Sequence, residues 1–453
     1  GAPWAVSRML RRQLPQAKGS YRVGSCCVRV AGGFLVRYYY PIEDDAPGDD
    51  QPSWLPSPRW GYMHGFGKAG LIPPAITSWL LPSMFAVSGG WREQSSSGPS
   101  ALPSALVSAA GERGLPVMVF SHGIAGNQTM YSTLCCGLAS RGTIVAAIEH
   151  SDLTASATLG PDGSTMLSYV HTNKDLLAGD DGFTWRLSQV EIRVTQFMRT
   201  VRNLFTSAEE DSRFAAWHGM LDATNVTAAG HSFGGCTVCA AVARCSAPGF
   251  ENIIANIAPG FSGFRSALLF DAALLVDGEQ IAALFGNGTA SDPVSRRTPL
   301  LFIDAESFAH DPRWWQPKVD IAETCWAQAG TPCAVVCQRS SYHHTPSDAP
   351  MVTEGVAGLL ASIRGQPPNL KRNDRPSESM QRSDSPVGPP LSAEALLDEL
   401  VHITWGFMSH WVATPKSEQP NPSWIECLRN PDRFNVLTAA PEFALPLSGP
   451  QDV

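Results

Sequence analysis

Residues 226–240 read VTAAGHSFGGCTVCA, an apolar run that breaks at Gly230 and sets Ser232 between glycines, ahead of an alanine-rich stretch. A serine hydroxyl is a poor nucleophile at neutral pH. It needs an imidazole to take its proton, a carboxylate to hold that imidazole, and amide N–H groups where negative charge develops. Glycine and serine are both common in this chain, so Gly-x-Ser-x-Gly means little until those partners are found. In a strained strand-to-helix turn of this kind, the acid and then the histidine follow the serine in the chain. Candidate acids are Asp271 in LLFDAALL and Asp304 in PLLFIDAES, each closing an apolar run, and the residue pattern leaves both open. The segment QRSSYHHTPSD offers His343 and His344 just after the run CAVVC, where such a fold places its base. His231, next to the serine, should point away from it and serve packing or hydrogen bonding. The amide of Phe233 is the expected first oxyanion donor. The second is expected from the His-Gly turn in FSHGIAGNQTMYS, at Ile124.

These residues need elements to hold them. Short β-rich runs recur at CCVRV, FLVRYYYPI, PVMVFSHG, GTIVAAIEH, NVTAAGHS, SALLFDA, PLLFIDAES and CAVVC. Several are almost wholly apolar, as strands buried on both faces are. Between them, residues 184–205 place Leu187, Val190, Val194, Phe197, Val201 and Leu204 on one helical face. The order β-α-β predicts an α/β fold with a mostly parallel central sheet flanked by helices. Two stretches break the pattern. Residues 86–114 are small and polar and read as an irregular insertion. Residues 365–391, rich in Pro, Ser and charge, read as a disordered insertion. The helical pattern resumes at 392–414 and is expected to pack on a core spanning about 20–364, making one domain of 1–453.

With 43% hydrophobic and 16% charged residues and a formal net charge of -8, the chain has no basic field for nucleic acid. Eleven cysteines over 453 residues do not make a small disulfide framework, and most are expected to be buried thiols. Cys236 and Cys239 have the spacing of a redox or zinc pair, but without a second pair at ligand spacing they read as packing. No phosphate loop, zinc-protease or calcium-loop motif occurs, so the expected mechanism uses neither metal nor cofactor. No apolar run reaches the 18 or so residues of a membrane span, which predicts a soluble or surface-bound chain. Sequons at Asn127, Asn225 and Asn287 leave the compartment open.

Taken in order, PVMVFSHGIAG, LASRGTIVAAIEHSDLTASAT, AAGHSFGGCTV, LLFDAALL, PLLFIDAESF and SSYHHTPSD resemble the platelet-activating-factor acetylhydrolases of the plasma and intracellular type-II kind, also called lipoprotein-associated phospholipases. The resemblance covers most of residues 20–414 and implies an α/β-hydrolase fold. It implies Ser232 as nucleophile, Asp271 as acid, with Asp304 at a position where the family commonly has asparagine, and His343 as base. It also implies calcium-independent hydrolysis of the sn-2 acyl ester of phospholipids with short or oxidised chains. Departures around 270–276 and 342–346 bear on the fit of the acyl chain. A general carboxylesterase or lipase of the same fold, or a non-catalytic lipid-binding relative, are the alternatives.

A phospholipid substrate raises the question of contact with a membrane or lipoprotein surface. AGLIPPAITSWLLPSMF falls where the related enzymes carry a surface helix, and MVTEGVAGLLASI follows the histidine loop. Leu71, Ile72, Trp79, Leu80 and Leu360 are the expected interface residues.

Overall fold

A computed structural model describes residues 13–50, 52–70, 87–94, 98–170, 180–205, 211–246, 258–274, 298–309, 311–352, 391–410 and 423–443. The antiparallel strands β1 (Arg22–Arg29) and β2 (Leu35–Ile42) lead into helix α1 (Arg59–Ala69). Then come β3 (Arg92–Glu93), α2 (Ser104–Ala110), β4 (Leu115–Ser121), α3 (Ser132–Ala139) and β5 (Ile144–Glu149). A small sheet of β6 (Ala157–Leu159) and β7 (Met166–Ser168) precedes the long helix α4 (Asp180–Phe205). The next stretch carries β8 (Leu221–His231), α5 (Phe233–Ser246), β9 (Ser266–Phe270) and β10 (Leu300–Ala305). Helices α6 (Glu306–Ala309) and α7 (Pro312–Ala329), strand β11 (Cys333–Gln338), helices α8 (Ala393–His410) and α9 (Ser423–Leu428), and strand β12 (Phe434–Ala439) complete the order.

The ten-stranded sheet runs β12-β11-β10-β9-β8-β4-β5-β2-β1-β3. From β5 through β4, β8, β9 and β10 to β11 every neighbour is parallel, so the carboxyl ends of these strands share one edge. The strands alternate between two buried layers: Val117 and Val119 of β4 face one, Met118 and Phe120 the other. The first layer contains Val190, Val194, Phe197 and Val201 of α4 with Val238 and Val242 of α5. The second contains Leu134 and Leu138 of α3 with Leu397, Leu400 and Phe407 of α8. A side chain of this size contributes roughly 1.5–3 kcal/mol when fully buried, so apolar runs on both faces commit the central strands to the interior. Helices α3 and α8 meet at Gly137, where a Cβ would lie 2.6 Å from a methyl of Val401.

Three expectations change. Residues 86–114 are not simply irregular, because Arg92–Glu93 extends the sheet edge beside β1 and Ser104–Ala110 is helical. Trp91 is buried there and donates to Glu93, which also holds the buried Arg37. Beyond the helical pattern of 392–414, the chain returns to the sheet as β12, antiparallel to β11. Met351 and Val352, read with the lipid-facing segment, are instead buried against the core. Leu71, Ile72, Trp79, Leu80 and Leu360 lie outside the described residues, as do 365–390. No helix among the described residues is long and apolar enough to cross a membrane.

Candidate active site

Strand β8 ends at His231, and the chain turns through Ser232 at φ 55° directly into α5. That left-handed conformation is strained for serine, and the surroundings fix it. Ser232 N donates to Phe270 O at 2.9 Å, and its carbonyl accepts from Gly235 N and Ala273 N. The glycines of the motif are steric requirements. A Cβ on Gly230 would lie 2.4 Å from Gly234 O, one on Gly234 2.0 Å from Ser121 O, and one on Gly235 2.6 Å from Ala272 Cβ.

The partners arrive from neighbouring strand ends. Asp271 follows β9, also left-handed at φ 44° and fully buried, and its Oδ1 accepts from Ala305 N. His343 lies in the loop after β11. Its Nε2 stands 3.1 Å from Ser232 Oγ and its Nδ1 3.4 Å from Asp271 Oδ2. The second contact is longer than a hydrogen bond, as acid–base pairs often are before substrate tightens them. The structure thus brings together Ser232, His343 and Asp271. Asp304 is turned elsewhere: both its carboxylate oxygens accept from Lys318 Nζ at 2.6 Å, in a pair wholly shielded from solvent. Burial pushes its pKa up to about 6, against the opposing pull of the ammonium. Lys318 also lies 4.8 Å from the ring of Phe308, which stacks on His343 at 4.8 Å and 14°.

Around the expected oxyanion donors, the turn after β4 is spoken for amide by amide. Gly123 N donates to Tyr131 Oη, Ala125 N to Thr154 O and Gly126 N to Gly123 O, leaving the Ile124 amide without a protein acceptor in this turn. Phe233 opens α5, where the first amides have no partner within the helix. A Cβ on Gly123 would lie 3.0 Å from Ser232 Cβ, so the turn passes directly over the serine.

Residues that the sequence did not single out hold this turn. Arg193 of α4, fully buried, donates through Nε to Asp152 Oδ2 at 2.8 Å, through Nη1 to His122 O at 2.7 Å, and through Nη2 to Thr154 Oγ1. Its guanidinium lies 4.6 Å from the ring of Phe233. His122 donates to Gly123 O and accepts from His150 N, and burial lowers its pKa to about 3, keeping it neutral. Asp348 accepts from Ser132 N and Thr133 N at the start of α3, tying the histidine loop to that helix. The signal that could have found Arg193 is its place between Val190 and Val194, on the face that the helical period turns inward. Asn127 is buried with its Oδ1 accepting from Thr129 and Met130, so this sequon has no exposed acceptor nitrogen.

Among the described residues one group has donor atoms spaced for a metal, His231, Asp271 and His343, all within 4.8 Å. Both ring nitrogens of His231 are already hydrogen-bonded, to Tyr131 and to the carbonyl of His343. What remains is an alcohol, an imidazole and a carboxylate in sequence, suited to proton transfer.

A mostly parallel sheet with a serine on a strained strand-to-helix turn, and a carboxylate and histidine after later strands, defines an α/β-hydrolase. The ferulic acid esterase of Streptomyces cinnamoneus has a similar fold, with a TM-score of 0.53 and 14% identity over 94% of this chain and 99% of that one. Residues 6–370 match the family described as platelet-activating factor acetylhydrolase, isoform II, and the chain belongs to that family. It is similar to the platelet-activating factor acetylhydrolases of Canis lupus familiaris, 26% identical over 80% of this chain and 74% of that one, and of Gallus gallus, 25% identical over 78% of each. A putative phospholipase A2 of Schizosaccharomyces pombe is 28% identical over 36% of this chain and 41% of its own. The chain is a serine ester hydrolase.

Proposed function

We propose that the chain hydrolyses the sn-2 acyl ester of phospholipids bearing a short or oxidised chain, without calcium. The observation that carries this reading is Ser232 Oγ at 3.1 Å from His343 Nε2, with Asp271 on the far side of the ring. Ser232 Oγ attacks the ester carbonyl while His343 Nε2 takes its proton. The amides of Phe233 and Ile124 receive the developing oxyanion. His343 returns the proton to the departing lysophospholipid oxygen, leaving an acyl-serine. Water, deprotonated by the same imidazole, then releases the acid. Asp271 orients the imidazole and stabilises its cation. The family's name supports the lipid substrate, and a nucleophile activated by imidazole supports a reaction that does not call for calcium.

Contact with a membrane or lipoprotein surface belongs to the same reading. Ile124, Leu153 and Val170 are exposed together, joined by bonds from Ala125 N to Thr154 O and from Val170 N to Leu153 O. Trp314 is also exposed, stacked on Phe308, which in turn stacks on His343. The test compares hydrolysis of phosphatidylcholines with acetyl and with long sn-2 chains, with chelator present, and follows labelling by a fluorophosphonate. Short-chain preference, chelator resistance and labelling lost in Ser232→Ala support the reading. Equal rates on both lipids return it to a general lipase, and absence of labelling removes the nucleophile.

A further inference from the structure

Tyr131 and His231 are buried, polar and unused by the chemistry above, yet they stand between the turn after β4 and the histidine loop. Gly123 N lies 3.2 Å from Tyr131 Oη, Tyr131 Oη 2.8 Å from His231 Nδ1, and His231 Nε2 2.6 Å from the carbonyl oxygen of His343. The two ends fix the direction of every proton. An amide N–H can only donate, so Tyr131 Oη accepts from Gly123 and gives its own hydrogen to His231 Nδ1. A carbonyl can only accept, so His231 carries its proton on Nε2. A neutral imidazole of that tautomer satisfies both demands, and burial beside the imidazoles of His343 and His344 holds the ring neutral. At 4% and 2% exposure, Tyr131 and His231 have no water to take over these bonds.

We propose that Tyr131 and His231 form a hydrogen-bond relay of fixed polarity that sets the oxyanion turn and the backbone of the catalytic histidine in register across Ser232, which makes both of them positioning residues. The relay spans the site. At one end is the turn that carries the Ile124 amide proposed for the oxyanion, and at the other the residue whose ring is proposed to take the serine proton. A Cβ on Gly123 would lie 3.1 Å from His231 Nδ1 and 3.0 Å from Ser232 Cβ, so a slip of either loop is felt directly at the nucleophile. Tyr131 also opens onto α3, the helix to which Asp348 ties the far end of the histidine loop. The loop is therefore held at both ends by groups adjoining the oxyanion turn.

The inference rests on the serine-esterase reading, and the experiment separates the two. Turnover of p-nitrophenyl acetate by the full chain is measured for wild type, Tyr131→Phe, His231→Leu, His231→Gln and the double variant Tyr131→Phe/His231→Leu, with melting temperatures alongside. Glutamine carries one acceptor and one donor on a planar group, so it can take the Tyr131 hydrogen and donate to the His343 carbonyl; leucine can do neither. Tyr131→Phe and His231→Leu should each lower kcat by about tenfold to a hundredfold with KM changed little, as small misplacements of catalytic groups do. The double variant should be no slower than the worse single one, and His231→Gln should recover most of the rate. Multiplying losses in the double variant, no recovery with glutamine in a folded protein, or unchanged kcat in Tyr131→Phe would overturn the relay. An inactive wild type that also resists the fluorophosphonate would instead overturn the esterase reading.

Discussion

Two buried aspartates sit side by side at the strand ends, and their surroundings give them different work. Asp271 faces His343 at 3.4 Å, whereas Asp304 is consumed by Lys318. Asp271→Asn should lower kcat by about ten-thousandfold while leaving the melting temperature nearly unchanged, because it removes the charge that holds and stabilises the imidazolium. Asp304→Asn should do the reverse. It strands the Lys318 ammonium in the interior at a cost of about 3–5 kcal/mol, read as a lowered denaturation midpoint, with kcat per folded molecule kept within about tenfold. The opposite ranking in kcat would move the acid to β10. The sequence offered both aspartates because each closes an apolar run, and order along the chain cannot distinguish them. Lys318 is the reason they differ, and it lies on a helix whose pattern, PRWWQPKVDIAETCWAQA, gives no sign that its lysine turns inward. Ser232 was legible because the turn that carries a nucleophile demands glycines at fixed offsets, and His343 because it follows the last parallel strand, its choice over His344 resting on the family resemblance.

Among the elements, α4 shows where reading by hydrophobic period stops. Val190, Val194, Phe197, Val201 and Leu204 are buried as the period predicts, but Arg186, Gln189, Arg193, Gln196 and Thr200 are buried beside them. Polar residues reach inward because this helix does more than cover the sheet; it carries donors to His122 O and Asp152 O, behind the turn after β4. Removing the countercharge tests that role. Asp152→Ala should cost about 3–5 kcal/mol by leaving Arg193 buried and unpaired, read by denaturant melts. A loss below about 1 kcal/mol, the scale of a surface pair, would mean that solvent reaches the guanidinium. Helix α1 was missed for the opposite reason. Its sequence RWGYMHGFGKA contains three glycines, each costing about 1 kcal/mol relative to alanine in a helix. Gly65 repays that by close approach, since a Cβ there would lie 1.6 Å from Ser156 O. Strand β12 escaped because it is reached only after a helix and pairs antiparallel at the sheet edge, where nothing in a single short run marks it.

For the whole molecule, burial around the site sets a pH dependence and exposure around it sets a surface. His122, His150 and His231 are all held neutral by burial, their pKa values lowered from the ordinary 6.5. Below about pH 6.5 the unfolded chain binds protons that the fold does not, so the stability they give at neutral pH is lost as pH falls. Glu149 and Asp348, raised by burial, run the other way at lower pH. Melting temperature should drop between pH 7.5 and 5.5. In His150→Gln, which keeps a donor and an acceptor for Gln196 and Ser121, the slope should shrink by about one proton, or about 1.4 kcal/mol per pH unit. The surface is built at the same place. Leu153 sits at φ 69°, a conformation that leucine rarely adopts, and it is held there by the bond from Val170 N while its side chain remains 37% exposed. Val170 is 41% exposed beside it. Under the proposed contact with lipid, the strained Leu153 presents its apolar side chain to solvent next to the turn that carries Ile124. Each such side chain holds part of the roughly 1.5–3 kcal/mol of a full burial, so Leu153→Ser with Val170→Ser should weaken binding to phosphatidylcholine vesicles on the order of tenfold. Neither residue donates to the reaction, so turnover of a soluble ester should stay near that of wild type. Undiminished vesicle binding would strip the rim of this role, and loss of soluble-ester turnover in step with vesicle binding would place both side chains in support of the turn instead.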